Sequence, residues 1–253
     1  MSHSRLTITA SRASACYALR MTTLAAAFDR LHDPDDWDAG LVEQLQQLKV
    51  QHGGPAVEID SNVTVDCCTV YAGSLHVRGD FVFSSHVLVL GDLIVDGVVI
   101  GEPEHAILMV LGNLSSRAMA FLRSYLCITG SVVCREFFLG TCDGFVKVGS
   151  EVTAPLLLQE HFELMSLDND DEPRVHARFW CDIRAEGYRT AYPRPRCTSQ
   201  PAAALAADVY SKCSVDDDGN PGEFDKWKLL ALVQAGTWLG FREPSTTTSH
   251  SIE

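Results

Sequence analysis

Three short stretches hold the residues whose types and spacing could do chemistry. Gln159-Glu160-His161-Phe162-Glu163 sets a histidine between two carboxylates. A carboxylate beside an imidazole fixes one tautomer and raises its pKa, which is how a general base is built. Glu160 and His161 are therefore the candidate catalytic pair. No serine or cysteine nucleophile is identifiable beside them, and a surface histidine between acids gives the same letters. The second stretch, Asp168-Asn169-Asp170-Asp171-Glu172-Pro173, offers Asp168, Asp170, Asp171 and Glu172 as a loop for a basic partner surface or for Ca²⁺. A solvated acidic turn is the competing reading.

The third stretch, Ser214 to Asp225, can be laid onto a calcium-binding loop. Ser214, Asp216 and Asp218 then fall at positions one, three and five, Gly219 at six and Asp225 at twelve. Against the match stand serine at the first position, aspartate in place of bidentate glutamate at the last, and Pro221 at the eighth, where an N–H is needed. An Asp-Gly turn before an N-capped helix explains the same residues. The expectation is no cofactor, with Asp216, Asp218 and Asp225 as the calcium candidates.

Other chemistry is missing from the chain. It has no phosphate-binding loop of the G-x-x-x-x-G-K-[ST] type, no H-E-x-x-H and no G-x-S-x-G. Nine cysteines, irregularly spaced and without a C-x-x-C pair, argue against a zinc ribbon or thioredoxin-like site. Free thiols on strands behave as small hydrophobes, Cys127 and Cys134 being expected to point inward, and a reducing cytoplasm suits them. The net charge of −13, from 20 basic and 33 acidic residues, opposes binding to nucleic acid or anionic membrane. It suits a protein that meets a basic partner. No apolar run reaches the ~18 residues of a membrane-spanning helix.

The elements that must position any site come from residues 63–158, which read as one short strand after another. Val87-Leu88-Val89-Leu90-Gly91-Asp92-Leu93-Ile94-Val95-Asp96-Gly97 shows the unit best: apolar-x-apolar, glycine, a small polar residue, apolar-x-apolar. Gly79, Gly91, Gly112, Gly130 and Gly149 lie 12, 21, 18 and 19 residues apart, each followed by Asp, Asn or Ser. Glycine permits a tight corner and the polar residue suits a turn. Period-two alternation sends one residue inward and the next outward. A period near twenty predicts a mainly β, single-stranded β-solenoid with coils of 18–21 residues. A β-sandwich, also built of short strands and turns, is the rival; the recurrent Gly-polar-apolar phrase favours the solenoid.

Val89 to Gly97, its echo Val110-Leu111-Gly112-Asn113-Leu114, and Thr129-Gly130-Ser131-Val132 resemble the repeats of bactofilin-like, polymer-forming cytoskeletal bacterial proteins. They resemble still more a group of bacterial β-solenoid proteins with a helical C-terminal tail. The resemblance covers residues 63–160. It implies a stacked β-coil and, for the bactofilin type, assembly end to end. A fold resemblance of this kind says little about activity.

The flanks complete the expected layout. Residues 1–20 carry Arg5, Arg12 and Arg20 and no acid, as a transit peptide would; they read as a floppy tail, or as sequence upstream of a natural start at Met21. Residues 21–54 read as a helical N-terminal cap over the first coil, with Leu41, Leu45, Leu48 and Val50 as its apolar stripe. The solenoid is expected over 55–165, and a loop-rich extension with one strand over 166–200. A C-terminal helix-loop-helix cap follows over 201–240, and a disordered tail over 241–253. Helical caps at both sides would oppose filament growth. The function expected is therefore non-enzymatic binding, concretely an immunity-type protein that occludes a basic toxin. The alternatives are a self-associating bactofilin-like scaffold, and an enzyme or calcium protein using Glu160/His161 or Asp216–Asp225. A monomer or small homo-oligomer with a protein partner, without nucleic acid or membrane, is the expected state.

Overall fold

A computed structural model of the chain describes residues 7–8, 39–102, 106–167, 173–182, 228 and 231. The chain divides into two units, residues 1–203 and 204–253. In the second, Lys228 and Ala231 are helical; the rest of the expected C-terminal cap lies outside the described residues.

The first unit opens with β1 (Thr7–Ile8) and α1 (Ala39–His52), and then winds as a parallel β-solenoid of about six turns. Coil 1 consists of β2 (Val57–Ile59), β3 (Val63–Val65) and β4 (Thr69–Tyr71), and coil 2 of β5 (Leu75–Val77), β6 (Phe81–Phe83) and β7 (Val87–Val89). Coil 3 is β8 (Leu93–Gly101) and β9 (Ile107–Val110); coil 4 is β10 (Leu114–Leu122) and β11 (Tyr125–Ile128). β12 (Val132–Val148) and β13 (Glu151–Ser166) each make a whole coil, and β14 (Arg174–Asp182) starts a seventh. Every pairing is parallel, so the coils form three walls. Wall 1 stacks Leu75, Leu93, Leu114, Val132 and Val152; wall 2 stacks Phe81, Val99, Met119, Phe138 and Leu157; wall 3 stacks Val87, Leu108, Leu126 and Val146. All of these are buried in one central core. The strand expected alone at 175–181 is thus part of the solenoid, which runs past residue 165.

Two corner columns explain the Gly-polar repeat. Gly73, Gly91, Gly112 and Gly130 stack between walls 3 and 1, and Gly79 and Gly97 between walls 1 and 2. The odd 12-residue interval arose because Gly79 marks a different corner from Gly91. The glycines are needed for close approach rather than for a left-handed turn. A Cβ on Gly112 would lie 2.8 Å from Gly91 O, and one on Gly97 2.6 Å from Gly79 O. The polar residues then tie coil to coil. Asp92 N donates to Ser74 Oγ (3.0 Å), Asn113 N to Asp92 Oδ1 (2.7 Å) and Ser131 N to Asn113 Oδ1 (3.0 Å). At the other corner Asp80 N donates to Asn62 Oδ1 and Val98 N to Asp80 Oδ1, each at 2.9 Å. Corner N–H groups that a short turn would leave orphaned are satisfied in this way.

Inside wall 2, large and absent side chains alternate: Phe83, Gly101, Phe121 and Gly140 follow one another in register. Rings spread over the glycines, from alternate coils in Phe83–Phe121 and from adjacent coils in Phe121–Phe138 and Phe138–Phe162, with centroids 6.4, 5.4 and 5.9 Å apart. These separations lie in the favourable aromatic range.

α1 does not cap the first coil. It lies along wall 3, where Leu45 and Leu48 are buried against Val70, Leu88, Ile107, Met109 and Cys127. Gln46 Nε2 donates to Thr129 Oγ1 at 3.2 Å, Lys49 Nζ donates to Leu111 O, and Gly54 N donates to Ala72 O at 2.7 Å. The helix therefore runs back down the stack from coil 4 to coil 1. Its 14 residues span about 21 Å, enough to cover the ~14 Å of the three steps between those coils. The reason is apolar: Val70, Leu88, Met109 and Cys127 form an outward column that would otherwise meet water. Val50, expected in the buried stripe, is 87% exposed, because two residues after Leu48 is the opposite side of a helix. Cys127 likewise points outward under α1, while Cys134 points inward as expected. Within the expected floppy tail, Thr7 and Ile8 pair in parallel with Thr69 and Val70.

With α1 on the wall, the lower edges of β2 and β3 have no strand partner among the described residues. Val57, Ile59 and Val63 at that end are only partly buried, as are Val175 and Ala177 at the other.

Candidate functional site

The three walls differ in what covers them. Wall 3 carries α1. On wall 2 the outward residues Ile100, Ala120, Leu139 and Leu158 are buried just as the inward ones are, so from coil 3 to coil 6 that wall is shielded as well. Wall 1 faces solvent. Its outward column runs in register through Glu58, His76, Ile94, Ser115, Val133, Thr153 and His176. Ile94 and Val133 are 41% and 38% exposed, the only large apolar side chains besides Val50 so exposed among the described residues.

Charges surround the two apolar residues. His76 Nε2 lies 3.2 Å from Asp96 Oδ1 and its Nδ1 3.5 Å from Glu58 Oε1, so one imidazole spans three coils. Arg78 pairs with Glu58, and its Nε lies 3.0 Å from Asp60 Oδ1. Glu58, through hydrogen bond and charge, raises the Arg78 pKa further above its ordinary value. Arg135 reaches past coil 4 to donate to Asp96 O at 2.8 Å. Arg117 Nε, on the coil between, is buried with no hydrogen-bond partner among the described residues. At the far end His176 Nε2 lies 3.2 Å from Glu151 Oε2. All the ion-pair partners are at least partly exposed, so each pair adds little stability. What the arrangement supplies is a flat, rigid patch of fixed charges around two apolar knobs, fit for recognition.

The residues singled out in sequence are not part of this patch. The backbones of Glu160 and His161 belong to β13, Glu160 opposite Thr141 on wall 2, where the pairing register shifts. Their side chains, together with Asp168, Asp170, Asp171, Glu172, Asp216, Asp218 and Asp225, lie outside the described residues. Among the described residues no three His, Cys, Asp or Glu side chains converge as a metal site would. No helix among them is long and apolar enough to cross a membrane. The wall 1 residues went unnoticed because all of the outward column but Ser115 are middle letters of ordinary apolar-x-apolar triplets. Their signal was recurrence: Glu58, His76 and Ile94 sit 18 residues apart.

The fold and surface define a β-solenoid of the stacked-repeat class. Beyond that class, no known protein family, curated protein or solved structure matches the chain at a significant level.

Proposed function

We propose that this protein is a non-enzymatic, cytoplasmic binding protein whose working surface is wall 1. One observation carries the reading: wall 3 is covered by α1 over coils 1–4 and wall 2 is buried from coil 3 to coil 6, while wall 1 presents exposed Ile94 and Val133 within a lattice of paired charges. Exposed apolar residues rimmed by polar ones mark interaction sites. In its concrete form the protein is of the immunity type and occludes a basic toxin. The net charge of −13 supports that form, as do Glu58, Asp60, Asp92 and Asp96 at the N-terminal end of the wall. The test is affinity capture from the source organism with the wild-type chain and with Ile94→Arg/Val133→Arg. A stoichiometric partner held by the first and lost by the second is the expected result. No such partner, or one indifferent to the substitutions, would sink the reading.

A second reading has its own observation. Because α1 lies on wall 3, the β2 and β3 edges and the half-buried Val57, Ile59 and Val63 form a coil end with no strand partner among the described residues. Unpaired edges template further strands, as a self-associating scaffold of the bactofilin-like group would use them. Filaments that pellet in the ultracentrifuge would bring this reading forward, and a discrete small species would end it.

A further inference from the structure

We infer that wall 1 is self-complementary and docks a second copy of this chain about a two-fold axis along the strands of coil 4. The inference rests on wall 1 being the working surface and names its occupant. Two flat walls that face each other by a two-fold can be related in two ways. If the axis runs along the solenoid, every coil meets its own copy, so Glu58 meets Glu58 and Asp96 stacks with the other acids of its end. If it runs along the coil 4 strand, the stack order reverses. Counting outward from Ser115, Ile94 then meets Val133 of the second copy, His76 meets Thr153, and Glu58 meets His176. In the flanking bulge, one residue past the registered Val95, Ser116 and Cys134, Asp96 faces the strand that carries Arg135 of the second copy. Like charges opposed across an interface are costly and opposite ones set register, so the second arrangement wins. It also buries Ile94 and Val133 twice, on either side of the axis. The one unfavourable meeting is Arg117 with its own copy, and an Asp96 carboxylate lies one coil away on each side of it.

Size sets the strength. Seven strands at ~4.8 Å by five residues at ~3.3 Å give a footprint of roughly 29 by 13 Å. That falls below the ~800 Å² per partner of a standard stable interface. The dimer is therefore a weak one, with a dissociation constant in the micromolar range or above, and it leaves the wall available to a tighter-binding partner.

The experiment is sedimentation equilibrium on the full chain across a concentration series up to ~1 mM. The expected mass rises from 27.7 kDa toward twice that value and stops there. Ile94→Arg and Val133→Arg should each weaken association by ~10-fold or more. Asp96→Arg should weaken it as well, and Asp96→Arg/Arg135→Asp should recover most of the loss, because the pair is rebuilt with reversed sign. A Ser115→Cys chain, in a background where every other cysteine except the buried Cys127 and Cys134 is replaced by serine, should form a covalent dimer on mild oxidation, since Ser115 lies on the axis. A mass of 27.7 kDa at every concentration overturns the inference. So does a dimer insensitive to Ile94→Arg, or open-ended polymer with no Ser115→Cys cross-link. A monomer whose partner capture still depends on Ile94 defeats this inference and leaves the wall 1 reading standing. A wall 1 dimer whose partner capture ignores Ile94 does the reverse.

Discussion

Substituting Gly112 by alanine tests the stacking account of the repeat most directly. The added Cβ would lie 2.8 Å from Gly91 O and 2.9 Å from Gly91 C, and closer still to the Asp92 carboxylate. Backbone strain is not at issue, because Gly112 is not in the left-handed region. Two relaxations are open to the chain. The coils can part locally, stretching the Leu111 N to Val89 O and Leu93 N to Asn113 O bonds, each 2.9 Å. Alternatively Asp92 can swing aside and release Asn113 N, which it now holds at 2.7 Å. Overpacking costs about 1–3 kcal/mol, and loss of a hydrogen bond to a charged acceptor about 1.5–3 kcal/mol. The two are alternatives, so the expected cost is about 2–3 kcal/mol. For a domain of this size that lowers the melting temperature by roughly 4–12 °C. The assay is thermal unfolding followed by far-UV circular dichroism, with Gly54→Ala as control, where a Cβ comes no nearer than 3.3 Å, to Ala72 Cβ. If Gly112→Ala melts with Gly54→Ala, close stacking is not why glycine occupies the corner.

Three further outcomes follow from the core, the helix and the thiols. Gly140→Ala would set a methyl 2.8 Å from Phe162 Cδ2 inside the aromatic column; a loss of about 1–3 kcal/mol in urea unfolding is expected. Leu45→Ala should cost about 2–4 kcal/mol and speed amide exchange at Leu88 and Met109, whereas Val50→Ala should change stability by less than about 0.5 kcal/mol. Equal effects of the two would mean that α1 does not pack on wall 3. Burial pushes the Cys127 thiol from 9.0 up to about 12 and the Cys134 thiol higher still, so both stay protonated in the native state while the unfolded thiols ionise near 9. Their contribution to stability is thus complete below pH ~8.5 and is lost progressively as the pH climbs toward 12. Urea midpoints that stay level between pH 8 and 11 would contradict this. In the native protein Cys67 and Cys68 should take up a thiol reagent while Cys127 and Cys134 do not.

The sequence by itself determined the β-solenoid and the coil length, because both are written in local terms. Alternation of Leu75-His76-Val77 or Val132-Val133-Cys134 marks a strand with one face buried, and the glycine-polar pair of the corner between walls 3 and 1 recurs once per coil. It also marked the strand at β14 and a helix before the first coil. What it did not contain was the relation between coils. Where both faces of a strand are apolar, as in Val87-Leu88-Val89, alternation does not say which side looks inward, and so Cys127 was assigned to the wrong face. The same ambiguity hid the cover on walls 2 and 3. A helix next to an open coil end reads as a cap until the outward column of Val70, Leu88, Met109 and Cys127 is assembled from four separate coils. The binding surface was invisible for the same reason. Glu58, His76, Ile94, Asp96 and Val133 are unremarkable singly, and only parallel stacking at one coil per step sets them side by side. Local periodicity fixes how each strand is built, whereas register between distant segments decides which side chains meet, and that register exists only in the folded stack.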